Sequence, residues 1–274
     1  MRTALVENIL NRLTSEAPIL SKRFENSVEH VGVRFVAIDE LLPIEICNEI
    51  FSKFPKVDEM RFMSSFREQK YTSKDFDKFD PILADITFAL QDPKVVGLIE
   101  AITGIKNQSA DPQLYAGGLS AMSKNNFLSP HIDNSHDANR QLYRTLNLLY
   151  YITPDWDEGY GGNLQLWDTK VNNNVTIHSK FNRLVLMETT PTSWHSVSQV
   201  KSEQDRYCVS NYYFSPQSPT GKDYFNVTTF SALPSQRFLR VWSKLDSFAR
   251  QMVRYVSPKG VGREDVFDSS KIEK

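Results

Sequence analysis

The sequence predicts an α+β chain, with an antiparallel β-sandwich or barrel at its centre, a helical layer before it and one helix after it. Three observations lead there. Between Leu114 and Phe214, short runs rich in β-branched and aromatic residues are separated by Gly, Asn, Asp and Pro clusters. Upstream, apolar residues recur at helical spacing, and downstream Phe238, Val241, Leu245, Phe248, Met252 and Tyr255 stand three and four apart. The 274 residues would allow one large or two small domains. The elements are read as a single domain: 1–110 mainly helical support, 111–216 the β core, 217–258 a loop and the C-terminal helix, and 259–274 a mobile tail.

In chain order, a short strand near Val33–Ile38 leads into LLPIEICNEIFSKF. There Pro43 suits a first helical turn, and Ile46, Cys47, Ile50 and Phe54 mark one face. Asp92-Pro93 divides two further helical runs, ILADITFAL and KVVGLIEAI. The strand runs follow: LYAGGLSAM, FLSPHID, RTLNLLYYI, NLQLW, NVTIH, RLVLME, WHSVSQV and RYCVSNYYF. After the polar loop SPQSPTGKDYFN, residues 233–256 return to helix. The expectation is that this helix packs its apolar side on the sheet and leaves Arg237, Lys244, Arg250 and Arg254 in solvent; dimerisation or contact with an acidic surface is the alternative.

A net charge of −1 supplies no basic field for nucleic acid, so no such partner is expected. The N-terminus lacks the uninterrupted apolar segment of a secretory signal, and no window reaches the roughly 18 apolar residues of a membrane span. Cys47 and Cys208 form no CxxC pattern, which argues against a disulfide framework or thiolate zinc site and for a reducing cytoplasm.

The chemistry concentrates in SPHID. On a strand, His131 and Asp133 point the same way while Ile132 points away, so two metal donors converge without a special turn. WHSV offers His195 from a distant strand, and two imidazoles with one carboxylate are the facial set of non-haem Fe(II) oxygenases. Arg206 opens a later strand and can fork onto the free carboxylate of a dicarboxylate cosubstrate. If KSEQD turns a hairpin near Glu203, Arg206 faces position 200, about 16 Å from His195 at ~3.3 Å per residue. His136 reads as a loop residue, Trp156 as either an entrance aromatic or a packing anchor, and His30 and His178 as structural.

From about Phe127 to Phe214 the chain resembles the double-stranded β-helix (jelly-roll) core of 2-oxoglutarate/Fe(II) dioxygenases, in the prolyl 4-hydroxylase-like branch. The likeness is carried by HID, RTLNLLYYITPDWDEGYGGNLQLW, FNRLVLME, WHSV and DRYCVSNYYF. It implies that His131, Asp133 and His195 bind iron, and that Arg206 and Tyr151 hold 2-oxoglutarate. It also implies O2 as oxidant, with ascorbate a further candidate, and hydroxylation of an unactivated C–H bond, as in a prolyl residue of a protein or peptide. Asp133 stands where related halogenases carry a small residue, which favours hydroxylation. Ala121 and Met122 depart from the family, which commonly has a tyrosine there. Two alternatives stay open: the same chemistry on a free amino acid, sugar or secondary metabolite, and a non-catalytic metal-binding barrel acting as sensor or scaffold. A homodimer through the C-terminal helix is a further expectation.

Overall fold

A computed structural model describes residues 1–115, 117–256 and 267. Helix α1 (Arg2–Asn26) and the short α2 (Val28–Val31) precede β1 (Phe35–Asp39) and α3 (Ile44–Ser52). Pro43 sits one residue before α3 as its cap, and Cys47 and Ile50 face inward as the spacing predicts. Helices α4 (Pro81–Ala89) and α5 (Pro93–Thr103) begin alike. Asp80 and Asp92 cap them, each carboxylate accepting an otherwise unpaired N–H (Ile82, 3.0 Å; Lys94, 2.8 Å), and proline fills the first helical position, where no donor is needed.

The N-terminal region is not only helical. β2 (Arg61–Ser64) and β3 (Glu68–Ser73) form a hairpin that the sequence reading missed. RFMS and EQKYTS carry no apolar alternation, because most of their residues are only partly covered, and so period two left no trace. The two-residue β4 (Ser109–Ala110) is also unforeseen, whereas the strands that follow lie where the runs predict them: β5 (Gly118–Met122), β6 (Phe127–Ile132), β7 (Tyr143–Tyr151), β8 (Leu164–Trp167), β9 (Asn174–Ile177), β10 (Arg183–Glu188), β11 (His195–Val197) and β12 (Arg206–Ser215). The short β13 (Thr229–Phe230) and helix α6 (Arg237–Val256) complete the described elements.

The strands run β1-β10-β7-β12-β5 on one side and β6-β11-β8-β9 on the other, with β3 joined to both β5 and β6. The result is a nearly closed antiparallel jelly-roll barrel. Alternation sorts its side chains. Leu146, Leu148, Tyr150, Leu184, Leu186, Val209 and Tyr213 face the helical layer of α1, α4 and α5, while Leu149, Tyr151, Val185, Met187 and Cys208 face the barrel interior.

Three expectations need correction. β11 does not pair with β12: it lies between β6 and β8, while β12 lies between β7 and β5, so residues 198–205 cross from one sheet to the other and Arg206 stands across from Met122. Helix α6 meets the barrel with its polar side, burying Ser243 and leaving Phe238, Val241, Leu245, Phe248 and Met252 exposed. Helical periodicity identifies a stripe but not which side of it the barrel takes; the Arg237, Lys244, Arg254 and Tyr255 side chains lie outside the described ones. In the tail, Phe267 is buried against Phe76 and Phe88; the remainder of the expected mobile segment lies outside the described residues.

The crossing segment is held by a glycine turn. Gly162 N–H donates to the Ser198 carbonyl (3.0 Å) and Lys201 N–H to that of Tyr160 (2.8 Å). Gly161 has φ +73°, and a Cβ there would lie 2.0 Å from the Gln199 carbonyl oxygen. Gly161→Ala should therefore destabilise the fold by more than about 3 kcal/mol, combining strain with overlap. Gly32→Ala, in the ordinary left-handed helical region and in open space, should cost only roughly 1–2 kcal/mol. Denaturant midpoints of the two variants compare them directly; equal losses would mean the turn yields freely.

Candidate metal centre

His131 is the last residue but one of β6, and Asp133 follows just past the strand. β11 lies antiparallel beside it with His195 directly across from His131, their ring centroids 4.0 Å apart. This is the convergence that the sequence predicts. The Nε2 atoms of His131 and His195 each stand 3.5 Å from Asp133, one facing Oδ1 and the other Oδ2. All three residues offer donor atoms within 4.8 Å of one another.

Both rings are oriented from behind. His131 Nδ1 lies 2.9 Å from the Ser129 carbonyl and His195 Nδ1 lies 3.0 Å from that of Ser193. A carbonyl only accepts, so each Nδ1 carries the proton and, in a neutral ring, each Nε2 presents its lone pair. Burial, aided by the neighbouring His131, lowers the His195 pKa to about 4, against the pull of Asp133. Burial works in the opposite sense on Asp133, raising its pKa. The attraction of His195 and then of Arg144, with a hydrogen bond from His131, outweighs it and holds the carboxyl well below its usual range. Both Nε2 atoms thus face the ionised Asp133 carboxylate across one small gap. Two imidazoles plus one carboxylate, their donor atoms converging on one point, suit Fe(II) with further positions left open.

Asp133 is itself gripped. Asn147 Nδ2 donates to Oδ2 (2.7 Å) and Arg144 Nη1 lies 3.3 Å from the same oxygen. Asn226 Nδ2 donates to the Asp133 carbonyl at 3.0 Å. Arg144, 2% exposed, lies under the Tyr212 ring at 4.0 Å. Sequence reasoning missed Arg144 because strict alternation puts it on the opposite face from Asn147. Leu146 pairs with Tyr213 but Arg144 with Phe214, so Thr145 is an extra residue, and this bulge turns Arg144 inward.

The cavity has a volume of about 290 Å³ and is lined by the triad and Arg144, and also by Tyr151 and Arg206. Along β7, Tyr151 is four residues beyond Asn147 on the same face, or about 13 Å at ~3.3 Å per residue. Arg206 is 4% and Tyr151 1% exposed, the guanidinium 5.3 Å from the tyrosine ring. Arg206 Nε and the Tyr151 hydroxyl find no hydrogen-bond partner among the described residues, although Ser179 lies beside that hydroxyl. Buried donors left unpaired inside a cavity fit an acceptor such as a ligand carboxylate. Met122 and Ser120 line the same cavity, and no tyrosine replaces them on β5. Ala121 faces the helical layer.

The other singled-out residues lie apart from the donors. Trp156 is a packing anchor, 4% exposed against Met122 and Val200, its Nε1 donating to Gly161 O at 2.9 Å. His178 Nε2 binds the Trp156 carbonyl (2.8 Å), and His136 stacks among Tyr143, Tyr224 and Phe225. His30 packs near Phe35.

Residues 117–214, the span that contains all five predicted site residues, match the family profile of the 2OG-Fe(II) oxygenase superfamily. Over this stretch the chain is similar to that superfamily. Mouse "Prolyl 3-hydroxylase OGFOD1" is 32% identical over 88 residues, which is 30% of this chain and 16% of that relative's length. The fold is also shared with solved structures. A prolyl 4-hydroxylase from Phytophthora capsici aligns at TM-score 0.53 with 18% identity, covering 93% of this chain and 80% of that one. The Trichoplax adhaerens prolyl hydroxylase, solved with a hypoxia inducible factor peptide fragment, aligns at 0.51 with 18% identity, covering 74% and 92%. At these identities the likeness concerns the oxygenase fold alone.

Because Arg144 neutralises and orients Asp133, Arg144→Met should weaken binding of Mn(II), a redox-stable probe of the site, by roughly 10–100-fold. Titration followed by electron paramagnetic resonance reads the effect, with circular dichroism to verify the fold; an unchanged affinity would leave Asn147 as the sole effective support.

Proposed function

We propose that the chain is an Fe(II)- and 2-oxoglutarate-dependent dioxygenase that hydroxylates an unactivated C–H bond, with a prolyl residue of a protein or peptide as its substrate. The observation that carries this reading is the pairing, in one cavity, of an imidazole–imidazole–carboxylate set, both Nε2 atoms facing the carboxylate, with a buried arginine that has no carboxylate partner among the described residues and a buried tyrosine beside it. His131, Asp133 and His195 would hold the iron. Arg206 would fork onto the distal carboxylate of 2-oxoglutarate, and the Tyr151 hydroxyl would donate to it as well. Once bound, these groups supply oxidative decarboxylation with O2, giving succinate, CO2 and a hydroxylated product.

The chain's own contribution is position and charge. The carbonyls of Ser129 and Ser193 fix the two imidazoles, Arg144 and Asn147 fix the carboxylate, and the barrel wall of Leu149, Leu164 and Met122 excludes water around the cosubstrate site. A prolyl substrate is supported by the names of the relatives, prolyl hydroxylases in each case. Small-molecule hydroxylation has an observation in its favour too: Glu68, Lys70 and Arg250 also line the cavity and suit a polar metabolite. A reducing compartment, the cytoplasm, belongs to the same reading, since Cys47 and Cys208 are both buried and unpaired. No described helix is long and apolar enough to cross a membrane.

Arg206→Ala should raise the 2-oxoglutarate requirement at least about 30-fold, the cost of removing one member of a buried charge pair, while Mn(II) affinity stays unchanged. Anaerobic calorimetry with Mn(II) separates the two quantities, and equal loss of both would contradict the assignment. Asp133→Gly should abolish succinate formation from 2-oxoglutarate. A wild-type chain that forms no succinate with Fe(II), O2 and either prolyl peptides or a metabolite panel would return the barrel to a binding role. Turnover with the panel alone would make the small molecule the substrate.

A further inference from the structure

Helix α6 is fastened to the barrel by its polar residues. Ser243 is 2% exposed, and the Ser247 hydroxyl accepts from Phe230 N–H at 3.1 Å and donates to the Phe230 carbonyl at 3.3 Å. Asp246 takes Arg67, from the turn between β2 and β3, and Arg250 at 3.1 Å. Arg240 reaches the carbonyls of Ala232 (3.1 Å) and Val171. Positions 240, 243, 246–247 and 250 form one helical stripe, and it is spent on the barrel.

The opposite stripe is apolar and uncovered. Phe238 is 95% exposed and Phe248 68%, with Val241, Trp242, Leu245, Met252 and Val253 also exposed. Taking about 150–250 Å² for each aromatic side chain and less for the aliphatic ones, the stripe offers on the order of 700–800 Å². That exceeds the ~300–600 Å² of a monomer's largest usual patch and matches the ~800 Å² each partner contributes to a standard interface.

The spacing specifies what fits there. Residues 238, 245 and 252 repeat every seven, as do 241 and 248, so the seam alternates three and four. This is the repeat by which one helix receives a like helix, knob into hole. A helix lying on a lipid surface would keep its cations free for head groups, whereas the two α6 arginines whose side chains are described, Arg240 and Arg250, are turned onto the barrel. Nor is the seam filled by Phe267, which is buried between Phe76 and Phe88 with its N–H on the Gln113 carbonyl (2.7 Å).

We propose that this face binds a second copy of the chain, the two α6 helices meeting seam to seam across a twofold axis. The inference is independent of the oxygenase reading. It does bear on the same cavity, because α6 anchors Arg67 and Phe230, and Phe230 stacks on His131 at 5.4 Å.

Sedimentation equilibrium on the full chain tests it. The wild type should run at twice 31.5 kDa, and Leu245→Glu/Phe248→Glu should run at the single mass, its dimer weakened by at least about 100-fold by burying two charges per chain. Both side chains are exposed in one copy, so the melting temperature should be preserved. A second measurement does not depend on that variant: Leu245→Cys carries an accessible thiol beside two buried native ones, and a spin label on it should show dipolar coupling between chains. The proposal fails if the wild type stays at 31.5 kDa at tens of micromolar, if the glutamate variant dimerises unchanged, or if labels at 245 show no coupling. Co-sedimentation of a monomeric wild type with mixed phosphatidylserine–phosphatidylcholine vesicles would overturn it in favour of a lipid surface.

Discussion

The antiparallel register between β6 and β11 is the constraint on which the rest of the centre depends. It sets His195 opposite His131, two imidazoles from segments more than sixty residues apart. Because strand side chains alternate, a slip of one residue would send one ring outside the barrel. The pairing is short and irregular, with a register shift between His195 and Val197. Its position is therefore maintained by neighbours: β8 on the far side of β11, and the contacts of residues 198–201 with the glycine turn.

Around that register the barrel buries charge, which is costly unless compensated. Asp133 and Arg144 compensate each other and are completed by Asn147 and Asn226. Whereas Arg144 has Asp133, Arg206 has no carboxylate partner among the described residues. It is nearly inaccessible, its Nε is unpartnered among the described residues, and Tyr151 beside it offers a ring and an equally unsatisfied hydroxyl. One half of the cavity is electrostatically complete apart from a cation, and the other half still needs an anion. That asymmetry matches the two components after which the superfamily is named.

Much of this could be read in the chain because it depends on local rules. HID places two donors on one face by period two, the strand runs from 114 to 214 announce themselves by composition and turn residues, and Asp92-Pro93 marks the start of a helix. What was hidden depends on long-range geometry. The bulge at Thr145 reverses the face of Arg144, and no local pattern marks it. The β2–β3 hairpin carries polar residues on both sides. The 198–205 segment has a hairpin's length but crosses between sheets. For α6, periodicity reveals an apolar stripe, while the outward choice is made by Arg67, Phe230 and the carbonyls that engage its polar side.

The loop between Asp133 and β7 is closed at its base. His136 and Tyr143 form an isolated bridge, and the Asp137 carboxylate gathers the N–H groups of Gln141 and Leu142 at 2.7 and 2.9 Å. Residues 138–140, distal to that clasp, therefore lie outside the hydrogen bonds that close the loop. Substitutions or added residues at this tip should leave the geometry of the three donors intact, so the tip can change chemically without cost to the centre behind it.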